Sequence, residues 1–153
     1  MTIAEQLQNL GLSIPDAPAP LASYVPAVRT GNLVFTSGQL PIVNGELQSR
    51  GQVGGEVTEV EAYAAARTAV LNALGAVKSV IHDLERVRQV VKVTGYVNSA
   101  PAFTNQPSVV NGASDLLVQL FGDAGRHARA AVGMYGLPRG ASVEIDMIVE
   151  VAD

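Results

Sequence analysis

No cysteine occurs among the 153 residues, and the two histidines, His82 and His127, stand far apart in the chain. The first absence excludes disulfides, thiolate nucleophiles and thiolate metal sites. Two isolated histidines argue against a histidine-based metal centre, so acid–base chemistry falls to carboxylates, tyrosines or ordered water. Charge is also scarce. Only 16% of residues are Asp, Glu, Lys or Arg, against about 25% in an ordinary soluble domain. So little charge covers a monomer poorly, and a large subunit interface is expected. The balance is acidic, with net charge −4, aromatics at 5% and pI 5.1, and it gives nucleic acid binding little support. The one basic cluster, Arg126, His127 and Arg129, reads as a solvated helix-to-strand corner. No Lys or Arg precedes Arg29, as a signal peptide would require, and no apolar run reaches the ~18 residues of a membrane span. These absences predict a cytoplasmic protein with no membrane or nucleic acid partner.

What is present divides into alternating patterns within a length that fits one domain, 1–153. Thr2 with Glu5 forms a capping box ahead of Ile3, Leu7 and Leu10, which predicts a short amphipathic helix ending at Gly11. The prolines within Ser13 to Pro20 favour an extended arm, so 1–17 is a helix and Pro-rich addition. Leu21 to Ser37 is β-patterned, with a hairpin at Thr30-Gly31-Asn32, and Asn44-Gly45 favours a type I′ turn before Glu46-Leu47-Gln48. Gly51, Gly54 and Gly55 lack a following Gly-Lys-Ser/Thr, so they mark turns and not a phosphate loop. A second capping box, Thr58 and Glu61, opens the longest helix, Glu59 to His82, with Val70, Leu71, Leu74, Val77 and Ile81 as its apolar stripe. A strand over Arg88 to Val97, a loop over Asn98 to Pro107 and a helix over Ser108 to Phe121 follow. Two strand–helix–strand crossovers would place both helices on one face of a single mixed sheet, an α+β fold with its other face open. Such a sheet should close against copies of itself.

The last stretch, His127 to Val151, carries the sharpest functional signal. Its first run puts Arg129, Ala131, Gly133 and Tyr135 on one face, and its second puts Val143, Ile145, Met147, Val149 and Val151 on an apolar face opposite Glu144, Asp146, Ile148 and Glu150. Paired as a hairpin about Leu137 to Gly140, the two runs would set Arg129 and Glu144 on the same non-core face. A forked guanidinium beside a carboxylic acid suits a small anionic substrate. The alternation equally describes a solvated face with ion pairs worth ~0–1 kcal/mol.

Several motifs together resemble the Rid family, also called the YjgF family, of reactive enamine/imine deaminases. They are Ala22-Ser23-Tyr24-Val25, Thr30-Gly31-Asn32, Thr36-Ser37-Gly38-Gln39-Leu40-Pro41, Val91 to Val97, Val110-Asn111, Ala128 to Val132, Leu137-Pro138 and Val143-Glu144-Ile145. The resemblance spans about Pro18 to Val151. It implies a chorismate-mutase-like fold, a homotrimer with sheets facing inward, a ligand cleft at each subunit interface, and no metal or organic cofactor. It also implies that Arg129 grips a substrate carboxylate, that Glu144 holds or activates the hydrolytic water, and that Tyr24, Ser37 and Asn111 line the cleft. Two positions depart from the family pattern. Ala131 replaces a frequent cysteine, leaving only backbone to contact substrate there, and Gly133 replaces a frequent glutamate. The connection from Gly51 to Glu61 also looks longer than usual. The implied activity is hydrolysis of 2-imino acids, tautomers of 2-enamines, to 2-oxo acids and ammonia. A non-catalytic small-carboxylate sensor and an endoribonuclease are the alternatives.

Overall fold

The alternating pattern of the last strand determines the sheet. Val143, Ile145, Met147, Val149 and Val151 are all buried, as the period of two requires, and the intervening residues are not. The computed structural model describes residues 1–17 and 23–153; the end of the predicted arm at 18–20, the predicted start of the β region at Leu21, and Ala22 lie outside the described residues. The elements are α1 (Ile3–Asn9), β1 (Ala27–Thr30), β2 (Leu33–Thr36), β3 (Ile42–Val43), β4 (Glu46–Leu47), α2 (Glu59–Ile81), β5 (Val87–Asn98), α3 (Gln106–Phe121), β6 (Ala128–Met134) and β7 (Val143–Val151). The first strand starts at Ala27 and not at Tyr24; Pro26 has no N–H to give the ladder, though its carbonyl accepts from Ser37 N–H at 2.8 Å.

Both capping boxes form, with Thr2 and Glu5 closing α1 and Thr58 and Glu61 closing α2. The predicted stripe of α2 is buried at Val70, Leu74, Val77 and Ile81, with Leu71 partly covered, and His82 ends the helix in the left-handed region at φ 69°. By length and composition α2 could cross a bilayer, but 61% of its most apolar window is buried inside the fold, as befits a core helix. The second long helix starts at Gln106, two residues before the predicted Ser108, because Pro107 is favoured in a first turn. Asn44 and Gly45 both take positive φ, 51° and 80°, as a type I′ turn demands. That hairpin, β3 with β4, forms a separate two-stranded ribbon.

The main sheet is mixed and five-stranded, in the order β1-β2-β7-β5-β6. This corrects the predicted hairpin of the last two strands. β6 pairs parallel with β5, as the α3 crossover dictates, while β7 inserts between β2 and β5 and runs antiparallel to both. The chain from Met134 to Val143 therefore steps over the end of β5. It does so through a short 3-10 turn at Pro138–Gly140, with Arg139 and Gly140 at φ 60° and 73°. Asn98, at the end of β5, ties this segment down by donating its backbone N–H to the Ser142 carbonyl (2.9 Å) and its amide to the Ala141 carbonyl (3.1 Å).

Helices α2 and α3 cover one face of the sheet, and α1 packs on α3, anchored by the Ile3 N–H donating to Glu85 at 2.6 Å. At the α2–α3 crossing, a side chain on Gly112 would collide with the backbone carbonyl of Tyr63. Helix backbone cannot yield as a flexible side chain does, so Gly112→Val is expected to destabilise by about 3 kcal/mol or more, through overpacking. Urea unfolding followed by circular dichroism measures it, and an unchanged midpoint would contradict the close approach. The other face of the sheet is open. Across it runs a row pairing Val28, Phe35, Ile148, Lys92 and Ala128 in register, with Val28 54% and Phe35 40% exposed.

Candidate functional site

Strand parity decides which candidate residues can meet. On β5, Val93 pairs with both Arg129 and Met147, and Gly95 pairs with both Ala131 and Ile145. Paired residues share a face, so Arg129 and Ala131 point to the helix-covered side with the core of β7. Glu144 pairs with Tyr96, as does Val132, and all three point to the open side. The expectation that Arg129 and Glu144 share one face is thus overturned. Interposing β5 changes the register parity that a hairpin would have set, and one step of register reverses every side chain.

Arg129 sits on the edge strand β6, half-buried beneath α3. Its Nη1 donates to Asn111 Oδ1 (2.7 Å) and to Ser114 Oγ (3.2 Å), two residues one helical turn apart on α3. A guanidinium has no acceptor, so Asn111 must turn its oxygen towards it and its amide nitrogen away. Ser114 Oγ lies 2.8 Å from His127 Nε2, and His127 Nδ1 lies 2.6 Å from the Gly125 carbonyl. A carbonyl only accepts, so Nδ1 carries the ring proton, and Nε2 accepts from the Ser114 hydroxyl. Burial pushes the His127 pKa down; the hydrogen bond to Gly125 opposes this and the Arg129 charge adds to it. Among the described residues, the one side-chain ion pair is Arg126 with Asp123 at 3.7 Å, both exposed. Arg129 therefore has no carboxylate within 4 Å among them.

Ala131 follows on the same face and packs partly against the core. Two residues on, the space a side chain at Gly133 would fill is crowded by Gln106 Nε2 (2.8 Å from such a Cβ) and Ser99 Oγ (3.1 Å). The Gln106 amide is itself held there by the Phe103 carbonyl at 2.8 Å.

The second group lies on the open face and towards the β1–β2 end. The Glu144 carboxylate rests over Gly38, where any side chain would collide with it. Ser37 donates its hydroxyl to the Val25 carbonyl at 2.6 Å, fixing the segment that carries Tyr24, which is 55% exposed. Beside Glu144, the Tyr96 hydroxyl donates to Asp146 Oδ2 at 2.8 Å. Burial first, then this bond and the charges of Asp146 and Glu144, push the Tyr96 pKa up to about 12. Burial, and then the Asp146 charge, raise the pKa of Glu144. The Glu144 carboxylate is thus favoured by folding while protonated and resisted once ionised: the stability it lends is complete below its unfolded pKa and is lost as pH rises through the higher folded value. Glu144→Gln is accordingly expected to raise Tm at pH 7 and to leave it unchanged near pH 4, measured by thermal melts across that range.

The structure thus groups Arg129, Asn111 and Ala131 at one sheet edge, and Glu144 and Ser37 elsewhere, with Tyr24 on the segment Ser37 holds. Sequence reasoning missed Ser114 and read His127 as a solvated corner. The signals were there: Ser114 stands three residues after Asn111 on a predicted helix, and His127 two before Arg129. Among the described residues no three His, Asp or Glu side chains converge as a metal site would need.

An α2–α3 layer on a mixed sheet, with an edge arginine held from α3, defines an α+β domain of chorismate-mutase-like architecture. Residues 4–149 match the family described as "YjgF/chorismate_mutase-like, putative endoribonuclease", and the chain belongs to this YjgF, or Rid, family. It is similar to a protein of unknown function from Agrobacterium tumefaciens, at 46% identity over 98% of this chain and 92% of that one, with a TM-score of 0.92. The structure of a protein from Shewanella oneidensis described as a "putative endoribonuclease" superposes with a TM-score of 0.95 at 34% identity, covering 99% of this chain and 100% of that one. The 2-iminobutanoate/2-iminopropanoate deaminase of Dermatophagoides farinae is 30% identical over 92% of this chain and 94% of its own length.

Proposed function

We propose that the protein hydrolyses 2-imino acids, the tautomers of reactive 2-enamines, to 2-oxo acids and ammonia. The observation that carries this reading is Arg129: a half-buried guanidinium gripped by Asn111 and Ser114 with no carboxylate of the described chain against it. Such a cation is ready for an external carboxylate. In the proposed reaction Arg129 holds the substrate carboxylate, Asn111 offers its outward amide as a second donor, and Glu144 orients a water towards the imine carbon. The Ala131 backbone, Ser37 and Tyr24 shape the walls. Water adds to the C=N carbon, the nitrogen takes a proton, and collapse of the carbinolamine expels ammonia. Positioning and modest acid–base help suffice for such a reactive bond, so no metal or organic cofactor enters. A raised pKa suits Glu144 to exchange a proton with that water.

One protomer keeps Arg129 and Glu144 on opposite faces, so the proposed cleft is assembled between copies. The open face, with its exposed Val28 and Phe35 on a chain that has little charge as a whole, is the surface a second copy would cover. A homotrimer with sheets facing inward brings the Glu144 side of one copy to the β6 edge of the next. The expected compartment is the cytoplasm, with neither membrane nor nucleic acid as partner.

An amino-acid oxidase generating 2-iminobutanoate in situ supplies the test. Wild-type protein is expected to speed the appearance of 2-oxobutanoate and ammonia; rates equal to the uncatalysed reaction for several imines would sink the proposal. The family description and the Shewanella oneidensis relative favour endoribonuclease activity as a second reading. The acidic balance of the chain, at net −4, opposes it. RNA cleavage that persists in Arg129→Ala and co-purifies with the protein would select it. A binding-only sensor would instead be stabilised by 2-oxo acids without turning over imines.

A further inference from the structure

We propose that Ser114 and His127 are positioning residues that fix which edge of Arg129 meets a carboxylate: the Nε–Nη2 side and not the Nη1–Nη2 tip. This rests on the reading of Arg129 as the carboxylate grip. A guanidinium can fork onto a carboxylate either through its two terminal nitrogens or through Nε and one of them. Nη1 carries two hydrogens, and both have acceptors in the fold, Asn111 Oδ1 at 2.7 Å and Ser114 Oγ at 3.2 Å. The tip is therefore closed to a second fork. Nε and Nη2 have no acceptor among the described residues and supply two parallel donors.

Asn111 alone would leave the guanidinium free to pivot about one hydrogen bond. Ser114 supplies the second point, but a serine hydroxyl on a helix rotates and commonly turns back to its own backbone. His127 prevents this. Its Nε2 accepts the Ser114 proton at 2.8 Å, which leaves the serine lone pairs facing Arg129. The ring is in turn held by Nδ1–H donating to the Gly125 carbonyl, at 2.6 Å, in the short 3-10 turn Gly122–Gly125 that leads into β6. A directional chain results, from Arg129 through Ser114 and His127 to the backbone of that turn. Neither Ser114 nor His127 touches the ligand in this arrangement; each acts through Arg129.

The test is the affinity for 2-oxobutanoate, followed by calorimetry beside its uncharged amide, 2-oxobutanamide. Ser114→Ala is expected to weaken 2-oxobutanoate about tenfold, the scale of a hydrogen bond to a charged group, and to leave the amide unchanged. Ser114→Thr, which keeps the hydroxyl, should restore binding to within about threefold. His127→Phe keeps the ring volume, loses the acceptor, and should reproduce the Ser114→Ala loss, giving a second route should one variant fold poorly. In an Arg129→Lys background, Ser114→Ala should add no further loss, because the fork it orients is gone. A folded Ser114→Ala and a folded His127→Phe that bind 2-oxobutanoate as tightly as wild type would overturn the positioning role while leaving Arg129 as the grip. Equal weakening of acid and amide would also overturn it, since that is what a general loss of structure produces. If wild type itself fails to bind 2-oxobutanoate, the reading of Arg129 falls, and the positioning role with it.

Discussion

Arg129→Ala is expected to lower kcat/KM for 2-iminobutanoate by about 1.5 to 3.5 orders of magnitude, the cost of leaving a carboxylate without its charged partner, some 2–5 kcal/mol at a desolvated pair. The fold should survive. Arg129 lies on an edge strand, contributes nothing to the apolar core, and its removal exposes Asn111 and Ser114 to water that can satisfy them. Arg129→Lys separates charge from geometry. An ammonium keeps the attraction but cannot fork, so an intermediate loss of about tenfold is expected. Oxidase-coupled imine hydrolysis measures all three proteins, and circular dichroism checks that each is folded. Equal activity in wild type and Arg129→Ala would remove the arginine from the reaction.

Mixing two inactive variants is expected to restore activity. Arg129 is pinned towards α3 on the edge strand, whereas Glu144 lies on the opposite face of β7, two strand spacings inward, or about 10 Å. A single ligand cannot touch both within one copy. If the cleft combines the arginine edge of one chain with the glutamate face of another, co-refolding equal amounts of Arg129→Ala and Glu144→Ala chains creates clefts with both groups intact. Random assembly makes them about a quarter of all clefts, since each half is intact with even odds. Activity should then rise from near zero in either variant to about a quarter of wild type. No recovery, in mixtures whose mass confirms mixed oligomers, would take Glu144 out of the chemistry.

Much of this architecture could be read from local pattern. Capping boxes at Thr2 and Thr58, the alternating face of Val143 to Val151, and the crossover through α3 depend on residues near one another in sequence, and they form as read. The site failed to follow because it turns on parity between strands that are not sequence neighbours. Eight residues, 135–142, separate β6 from β7, enough to step over β5 where a tight hairpin turn could not. Nothing in the alternation of either strand records which strand will lie beside it. Arg129 and Glu144 were each identifiable by residue type and family resemblance, yet their faces required the register of β5. His127 was concealed differently: its partner Ser114 sits on another element, and only the packing of α3 over β6 turns a polar corner into a chain of hydrogen bonds.

The placement of β7 also has a consequence in time. β2 and β5 share no backbone ladder with each other; each is joined through β7, which comes last in chain order. A chain emerging from the ribosome can form the β1–β2 hairpin and the β5–α3–β6 unit early, since both rest on contacts close in sequence. The two halves cannot be joined until Val143–Val151 is released, and until then the edges of β2 and β5 stand unpaired, the state most exposed to pairing with another chain. The strand that carries Glu144 is thus the one whose arrival completes the sheet, so that carboxylate takes its place only as the fold closes.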